Sequence, residues 1–487
     1  MKIIVVFVLS FFLMNFLYSQ EQGNNVERAI KSFVRSSGLE NAAISFQAID
    51  LSNNSIITSY NPTMALPPAS ITKLFSTATA LELVGPGYQP KTRLYIDGDI
   101  DSLGVLHGNI WVRGGGDPSL GSRFFNSKED QRSFIEQWRN KFLELGIKHV
   151  RGGVVADASD FGYEGAPEGW TWGDLGNYYG SGPSGLVLFD NTTFLQFETG
   201  RSVGDSTKLV CMNPHVEGLK LRNEVTASSN QRDNSYVFGA PFSWDRFIKG
   251  TLPFKQESFE VKASVPDPER LMAQELQYEL AQDFSFEFPP RTVRMNFSNF
   301  DVIDYSNKIL IHEEHGKTLQ TIASITNMKS VNLFAEQLLC LVGYHKNGRG
   351  TTTEGIKIAQ SYWGSRLSSG FVISDGSGLS RKNAFSANHF VELLQFMSSS
   401  TNYEDFKRTL PVAGKTGTLS NVCRDQKASG RIYAKSGTMS RIKAYSGYVD
   451  TYSGKTLAFA IIVNNHTISN YQLVKKMEPV FNAMAVY

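Results

Sequence analysis

Cysteine is scarce in this chain: Cys211, Cys340 and Cys423 are the only three among 487 residues. They are odd in number and far apart, so at most one disulfide is possible, and no CxxC or zinc-ligand spacing exists. The fold must rest on its hydrophobic core, for which a 41% hydrophobic composition is sufficient. An excess of one charge is lacking as well. With 48 Lys and Arg against 46 Asp and Glu, the formal charge is +2. No run of five basic residues occurs, so a nucleic-acid or polyanion partner is not expected. Any charged ligand has to be recognised locally. Internal repeats and low-complexity segments are also missing.

A long apolar run occurs once, from Ile3 to Leu17, preceded by Lys2 and followed by Ser19 and Gln20. This is the layout of a signal peptide over residues 1–20, and the run is short for a membrane span. The expectation is export to the periplasm or cell envelope with no stable transmembrane anchor. No cysteine lies near the probable cut, which argues against lipid attachment there.

The remaining chain is long enough for two or three domains. Residues 21–90 alternate helix and strand patterns and close with the helix "SITKLFSTATALELVG" before Pro86. Residues 91–307 read as short alternating strands separated by Gly, Asn, Asp and Pro turns. Only "KEDQRSFIEQWRNKFLELG" and "DPERLMAQELQYELAQ" are helical there. Residues 308–487 return to helices and end with three strand candidates and a last helix. One domain is therefore interrupted by a β-rich insertion.

Three short words carry chemistry. In Ser70-Ile-Thr-Lys73 a spacing of three puts both side chains on one face within a turn, so that the amine can reach the hydroxyl. A serine needs such a base, and a lysine becomes one when burial or a second cation lowers its pKa. The spacing alone is weak, since Ser440-Arg-Ile-Lys443 fits it too. Ser330-Val-Asn332, within the helix-rich "SITNMKSVNLFAEQ", offers a hydroxyl to relay a proton and an amide to hold a peptide. The third word is duplicated: Lys415-Thr-Gly417 and Lys435-Ser-Gly437 are each followed by threonine. Lys435 stands in an alternating strand pattern that places it on the same side as Gly437, where the small residue admits a ligand close to the backbone. Lys415, between Pro411, Gly414 and Gly417, reads as loop. Lys435 is the better candidate and Lys415 a decoy.

SxxK, SxN and K-T/S-G in this order form a signature known for β-lactamases and penicillin-binding proteins. The chain resembles the class C low-molecular-mass penicillin-binding proteins, the D-alanyl-D-alanine carboxypeptidase/endopeptidases of the penicillin-binding protein 4 type. "PPASITKLFSTATAL", "GNIWVRGGGDPSL", "YYGSGPSGLVLFDN", "ISDGSGLSRKNAFSANHF" and "LPVAGKTGTLSNV" extend the likeness over nearly the whole mature chain. A wide gap between the first two motif serines also sets this branch apart from typical β-lactamases. The chain departs from the pattern at Ser436, where threonine is usual, and at Val331, where aspartate is frequent.

The resemblance implies an α+β fold: a serine β-lactamase/DD-transpeptidase-like domain, with helices packed on an antiparallel sheet, interrupted by the large β-rich insertion. It further implies a DD-peptidase that cleaves the D-Ala-D-Ala terminus or D-Ala-meso-diaminopimelate cross-links of peptidoglycan stem peptides, with β-lactam antibiotics as covalent inhibitors. Ser70 would be the nucleophile and Lys73 its base. Ser330 would pass the proton on, Asn332 orient the peptide, and Lys435 supply positive potential that keeps Lys73 neutral. Ser436, Gly437 and Thr438 would bind substrate, Thr438 sharing an oxyanion hole with the Ser70 N–H. Asp375, Gly376 and Ser377 are either a loop beside the site or a tight turn whose chemistry alone accounts for the glycines. No metal or organic cofactor is implied. The alternative is a low-turnover peptidoglycan-binding or β-lactam-sensing protein of the same fold; a β-lactamase or esterase fits the long insertion poorly. Gly200-Arg-Ser-Val-Gly204 reads as a hairpin turn and His312-Glu-Glu-His315 as a solvated turn.

Overall fold

The computed structural model describes residues 25–162, 164–294 and 303–487. The expected signal peptide lies outside the described residues. Among those described, no helix is long and apolar enough to cross a membrane. The chain divides into two compact units. One comprises residues up to Glu82, Ala323–Ser330 and Ala359–Tyr487; the other comprises Leu83–Ile322 and Val331–Ile358. The second unit thus takes in more than residues 91–307, because it also holds 331–358.

The first unit is built on a five-stranded antiparallel sheet ordered Ile432–Met439, Ile442–Asp450, Thr456–Asn464, Ala43–Asp50, Ser55–Tyr60. The strand Thr456–Asn464, "TLAFAIIVN", is apolar on both faces because both faces are covered. On one side Phe46, Tyr445, Phe459 and Ile461 pack with Val26, Ile30 and Phe33 of the helix 25–34 and with Leu473, Met477 and Phe481 of Asn470–Ala485. On the other lies the helix Ala387–Ser398, whose Leu394 carbonyl accepts from the Tyr448 hydroxyl at 2.8 Å. Its N-terminus is capped by Ser386, which accepts from the His389 N–H. The helix Lys73–Leu83 is held through Phe75, 4.6 Å from the Phe385 ring and 5.7 Å from that of Trp363.

The second unit is rich in short strands. A mixed five-stranded sheet ordered Arg291–Val293, Val154–Asp157, Ile110–Arg113, Lys91–Asp97, Lys308–His315 packs with the helices Ser133–Leu143 and Pro268–Leu280. These two helices stand where the helical patterns do. Gly200–Gly204 is the hairpin connection between the antiparallel strands Thr192–Thr199 and Thr207–Asn213. His312-Glu-Glu-His315, by contrast, is no turn. It lies in the strand Lys308–His315, where Glu313 pairs with Lys91 at 2.6 Å and Arg93 at 2.7 Å on the neighbouring strand. Cross-strand ion pairing accounts for its charged residues. All three cysteines are free, Cys340 and Cys423 buried and Cys211 exposed.

Candidate active site

Ser70 sits in a 3-10 turn, Ala69–Thr72, that runs directly into the helix beginning at Lys73. Ala69 has φ +51°, a conformation that L-residues rarely adopt. Strain of this kind persists only where surrounding structure imposes it, and here two close backbone approaches do so. A Cβ on Gly378 would lie 2.0 Å from the Ala69 carbonyl oxygen, and one on Gly437 would lie 2.6 Å from the Pro68 oxygen and 3.1 Å from the Ser70 nitrogen. Gly437 was expected to let a ligand come near the backbone. What it admits in the structure is the backbone of the serine's own turn.

Lys73 is completely buried, and its Nζ donates to Ser70 Oγ at 3.0 Å and to the Ser377 carbonyl at 2.7 Å. The Asp375–Ser377 loop therefore meets the lysine through a main-chain oxygen. Asp375 shapes that loop: its carboxylate accepts from the N–H groups of Gly378 and Ser380 and from Asn383 Nδ2. The Gly376 carbonyl accepts from Ser76 Oγ at 2.5 Å, which ties the loop to the Lys73 helix.

Ser330 does not lie within a helix. It separates the helices Leu319–Lys329 and Asn332–Asn347, with φ +59°. The break lets its hydroxyl accept from Lys435 Nζ at 2.8 Å, and the same amine donates to the Ser436 carbonyl at 2.7 Å. The preceding turn of helix is anchored by Asn327, whose Nδ2 donates to Thr409 at 2.8 Å and Thr77 at 3.2 Å. Asn332 falls in the second unit, where its Nδ2 donates to the Tyr179 carbonyl at 2.8 Å.

The two lysine words are placed very differently. Lys435 is completely buried on the edge strand Ile432–Met439, whereas Lys415 is exposed in a loop. Burial, then the charges of Lys73 and Lys443, hold the Lys435 amine well below the usual lysine range. The repulsion between Lys73 and Lys435 acts on Lys435 as well.

Three contacts had no place in the sequence reading. One is the Ser377 carbonyl on Lys73. Another is Thr418, in the Lys415 loop, whose Oγ1 accepts from Ser436 at 2.9 Å. The third is Lys443, directly opposite Thr438 in the strand register, whose Nζ donates to Thr438 Oγ1 at 2.7 Å. Chemically, the first unit assembles a serine hydroxyl on a buried amine, a second serine hydroxyl on a second buried amine, and a glycine-lined strand edge at the Ser70 N–H. Among the described residues, no group of three or more His, Cys, Asp or Glu is placed to hold a metal ion.

The profile of the D-Ala-D-Ala carboxypeptidase 3 (S13) family matches residues 26–485. The chain is similar to D-alanyl-D-alanine carboxypeptidase DacB of Haemophilus influenzae, 24% identical over 450 residues that cover 90% of this chain and 89% of that protein. It is also similar to a D-alanyl-D-alanine carboxypeptidase of an Actinomadura species, 27% identical over 460 residues that cover 90% of this chain and 80% of that one. Among solved structures, penicillin binding protein 4 from Haemophilus influenzae superimposes with a TM-score of 0.77 at 22% identity, covering 92% of this chain and 97% of the other. That likeness bears out the expected α+β fold.

Proposed function

The chain belongs to the D-Ala-D-Ala carboxypeptidase 3 (S13) family, a family of serine peptidases, and on that premise we propose how its residues carry out DD-peptidase chemistry on peptidoglycan stem peptides. Ser70 Oγ attacks the carbonyl of the penultimate D-alanine while Lys73 takes the hydroxyl proton. The observation that carries this assignment is the fully buried Lys73 amine, 3.0 Å from Ser70 Oγ. The tetrahedral oxyanion is received by the N–H groups of Ser70 and Thr438, each such donor being worth roughly 3 to 4 kcal/mol in acyl transfer. The scissile C–N bond then breaks, and Ser330 relays the proton that Lys73 took from Ser70 to the leaving D-alanine nitrogen, giving up its own hydroxyl hydrogen as it receives the other. Its bond to Lys435 makes the second amine part of that route. Water hydrolyses the resulting ester and restores Ser70.

Thr438 and Ser436 bind the terminal carboxylate with their hydroxyls, Ser436 by turning its hydrogen from Thr418 Oγ1 to the substrate, and Asn332 orients the peptide, as the motif it matches implies. The same site opens D-Ala-meso-diaminopimelate cross-links when the leaving amine belongs to a second stem peptide. β-Lactams mimic the D-Ala-D-Ala terminus and acylate Ser70. A peptidoglycan substrate supports an exported enzyme that works in the periplasm or cell envelope.

The test is intact mass and peptide mapping of the purified mature protein after incubation with benzylpenicillin, alongside release of D-alanine from a stem pentapeptide. A stable adduct on the peptide bearing Ser70, together with D-alanine release, is expected. An intact drug, no adduct and no D-alanine from a folded protein would leave the low-turnover binding or sensing reading in its place.

A further inference from the structure

Lys443 is an unusual neighbour for a substrate-binding hydroxyl. It is 9% exposed on the second strand of the sheet and stands opposite Thr438 across the two-residue turn Ser440-Arg441. Its ammonium donates to Thr438 Oγ1 at 2.7 Å and lies 4.9 Å from the Tyr445 ring centre. No Asp or Glu among the described residues pairs with it. Burial without a counter-ion lowers its pKa to about 8. A methionine would fill such a position without the cost of a desolvated charge, so simple packing does not explain a lysine here.

Two consequences follow from the geometry. A threonine hydroxyl that accepts from an ammonium has its own hydrogen turned elsewhere, and Thr438 is exposed, so that hydrogen is available to an acceptor outside the protein. The missing counter-charge would be supplied by an anion arriving at the same hydroxyl. We propose that Lys443 is a positioning and specificity residue for the terminal carboxylate of the substrate: it fixes the Thr438 hydroxyl as a donor and provides the positive charge that the carboxylate neutralises. This rests on the DD-peptidase reading of the site and adds to it a residue outside the three motifs.

The experiment compares two peptides, one ending in D-Ala-D-Ala with a free carboxylate and one ending in its carboxamide, on the mature wild-type protein, Lys443→Met and Lys443→Arg. Acylation by benzylpenicillin and by its methyl ester gives a parallel pair. Wild type should prefer the carboxylate member of each pair. Lys443→Met should shrink that preference by about ten- to a hundredfold, the range for a hydrogen bond to a charged group. Lys443→Arg should keep most of it. If Lys443→Met does not fold, Lys443→Gln, uncharged but still a donor to Thr438, carries the same comparison. Equal losses on both members of a pair would reveal a structural role only, and an unchanged preference, or no preference in wild type, would equally overturn the proposal. A wild-type protein that neither releases D-alanine nor takes up penicillin would instead sink the DD-peptidase reading.

Discussion

Gly437→Ala tests how Ser70, the proposed nucleophile, is held. The glycine has no need of a left-handed backbone, so alanine is acceptable to its own φ and ψ, and the effect is purely one of space. The added Cβ would stand 2.6 Å from the Pro68 oxygen, and an ordinary contact begins near 3.4 Å. Strand and nucleophile turn must therefore separate by about 0.8 Å. The edge strand is hydrogen-bonded along its length to Ile442–Asp450, so much of the movement falls on Pro68–Ser70. Overpacking costs about 1–3 kcal/mol, partly offset by about 0.5–1 kcal/mol from removing a strand glycine. Stability should change little or fall modestly. Activity should suffer more, because a displacement near 1 Å costs on the order of a hundredfold when reacting groups must be aligned. The assay is the second-order rate of acylation by a fluorescent penicillin, with thermal melting in parallel. Gly364→Ala is the control: nothing lies within 4 Å of its added Cβ. A Gly437→Ala rate within about threefold of wild type would refute the argument that this glycine seats the serine.

Removing either lysine word separates the twins. Lys435→Ala deletes two buried hydrogen bonds of 2.8 and 2.7 Å, leaves the Ser330 hydroxyl without its donor, and should slow acylation by roughly 10²- to 10⁴-fold. Exposed Lys415→Ala should stay within about threefold, and the reverse pattern in folded proteins would overturn the choice. Lys443 bears on stability as well. Its folded pKa, about 8, is below the unfolded value of ~10.4, so between these pH values the unfolded chain binds more protons and stability rises with pH. The gain is on the order of 3 kcal/mol, and Lys443→Met should remove it from denaturant titrations; an identical slope in the variant would refute the assignment, while any slope that remains is of the sign Lys435 contributes. Thiol titration of the reduced native protein should count one reactive cysteine, Cys211, and three after denaturation, because burial pushes Cys423 up to about 12 and Cys340 higher still.

What could be read from the sequence was whatever depends on local geometry. Three-residue spacing on a turn of helix brings Lys73 to Ser70 in any context, and the alternation of "GRIYAKSGTM" marks Lys435 as strand and Lys415 as loop. The break at Ser330 was hidden because apolar helical periodicity runs on from Leu319–Lys329 into Asn332–Asn347. At this positive φ the Ser330 hydroxyl meets Lys435, a partner 105 residues away that the local pattern does not reveal. The Ser377 carbonyl could not have been found, since a main-chain acceptor has no side-chain signature. Lys443 carried a signal of a different kind. Its spacing from Ser440 matched the nucleophile word by chance, whereas a two-residue turn at Ser440-Arg441 puts it across from Thr438.

The duplicated word also has a physical sense. Ala413 N–H donates to the Ile432 carbonyl, and Ala434 N–H donates to the Pro411 carbonyl, both at 2.9 Å. The stretch before Lys415 thus covers the outer edge of the strand that carries Lys435, over the half that would otherwise be an open template for pairing. It then turns through Gly414 and Gly417, both at positive φ, and places Thr418 Oγ1 where it accepts from Ser436. With Thr418 beside Ser436 and Lys443 beside Thr438, each hydroxyl assigned to the carboxylate has a partner from outside its own strand. The serine that replaces the usual threonine at 436 lacks a β-methyl to restrict its rotation, and the bond to Thr418 is what orients it. What the first lysine word contributes to this strand edge is its turn and the threonine that follows it, while its lysine stands in solvent.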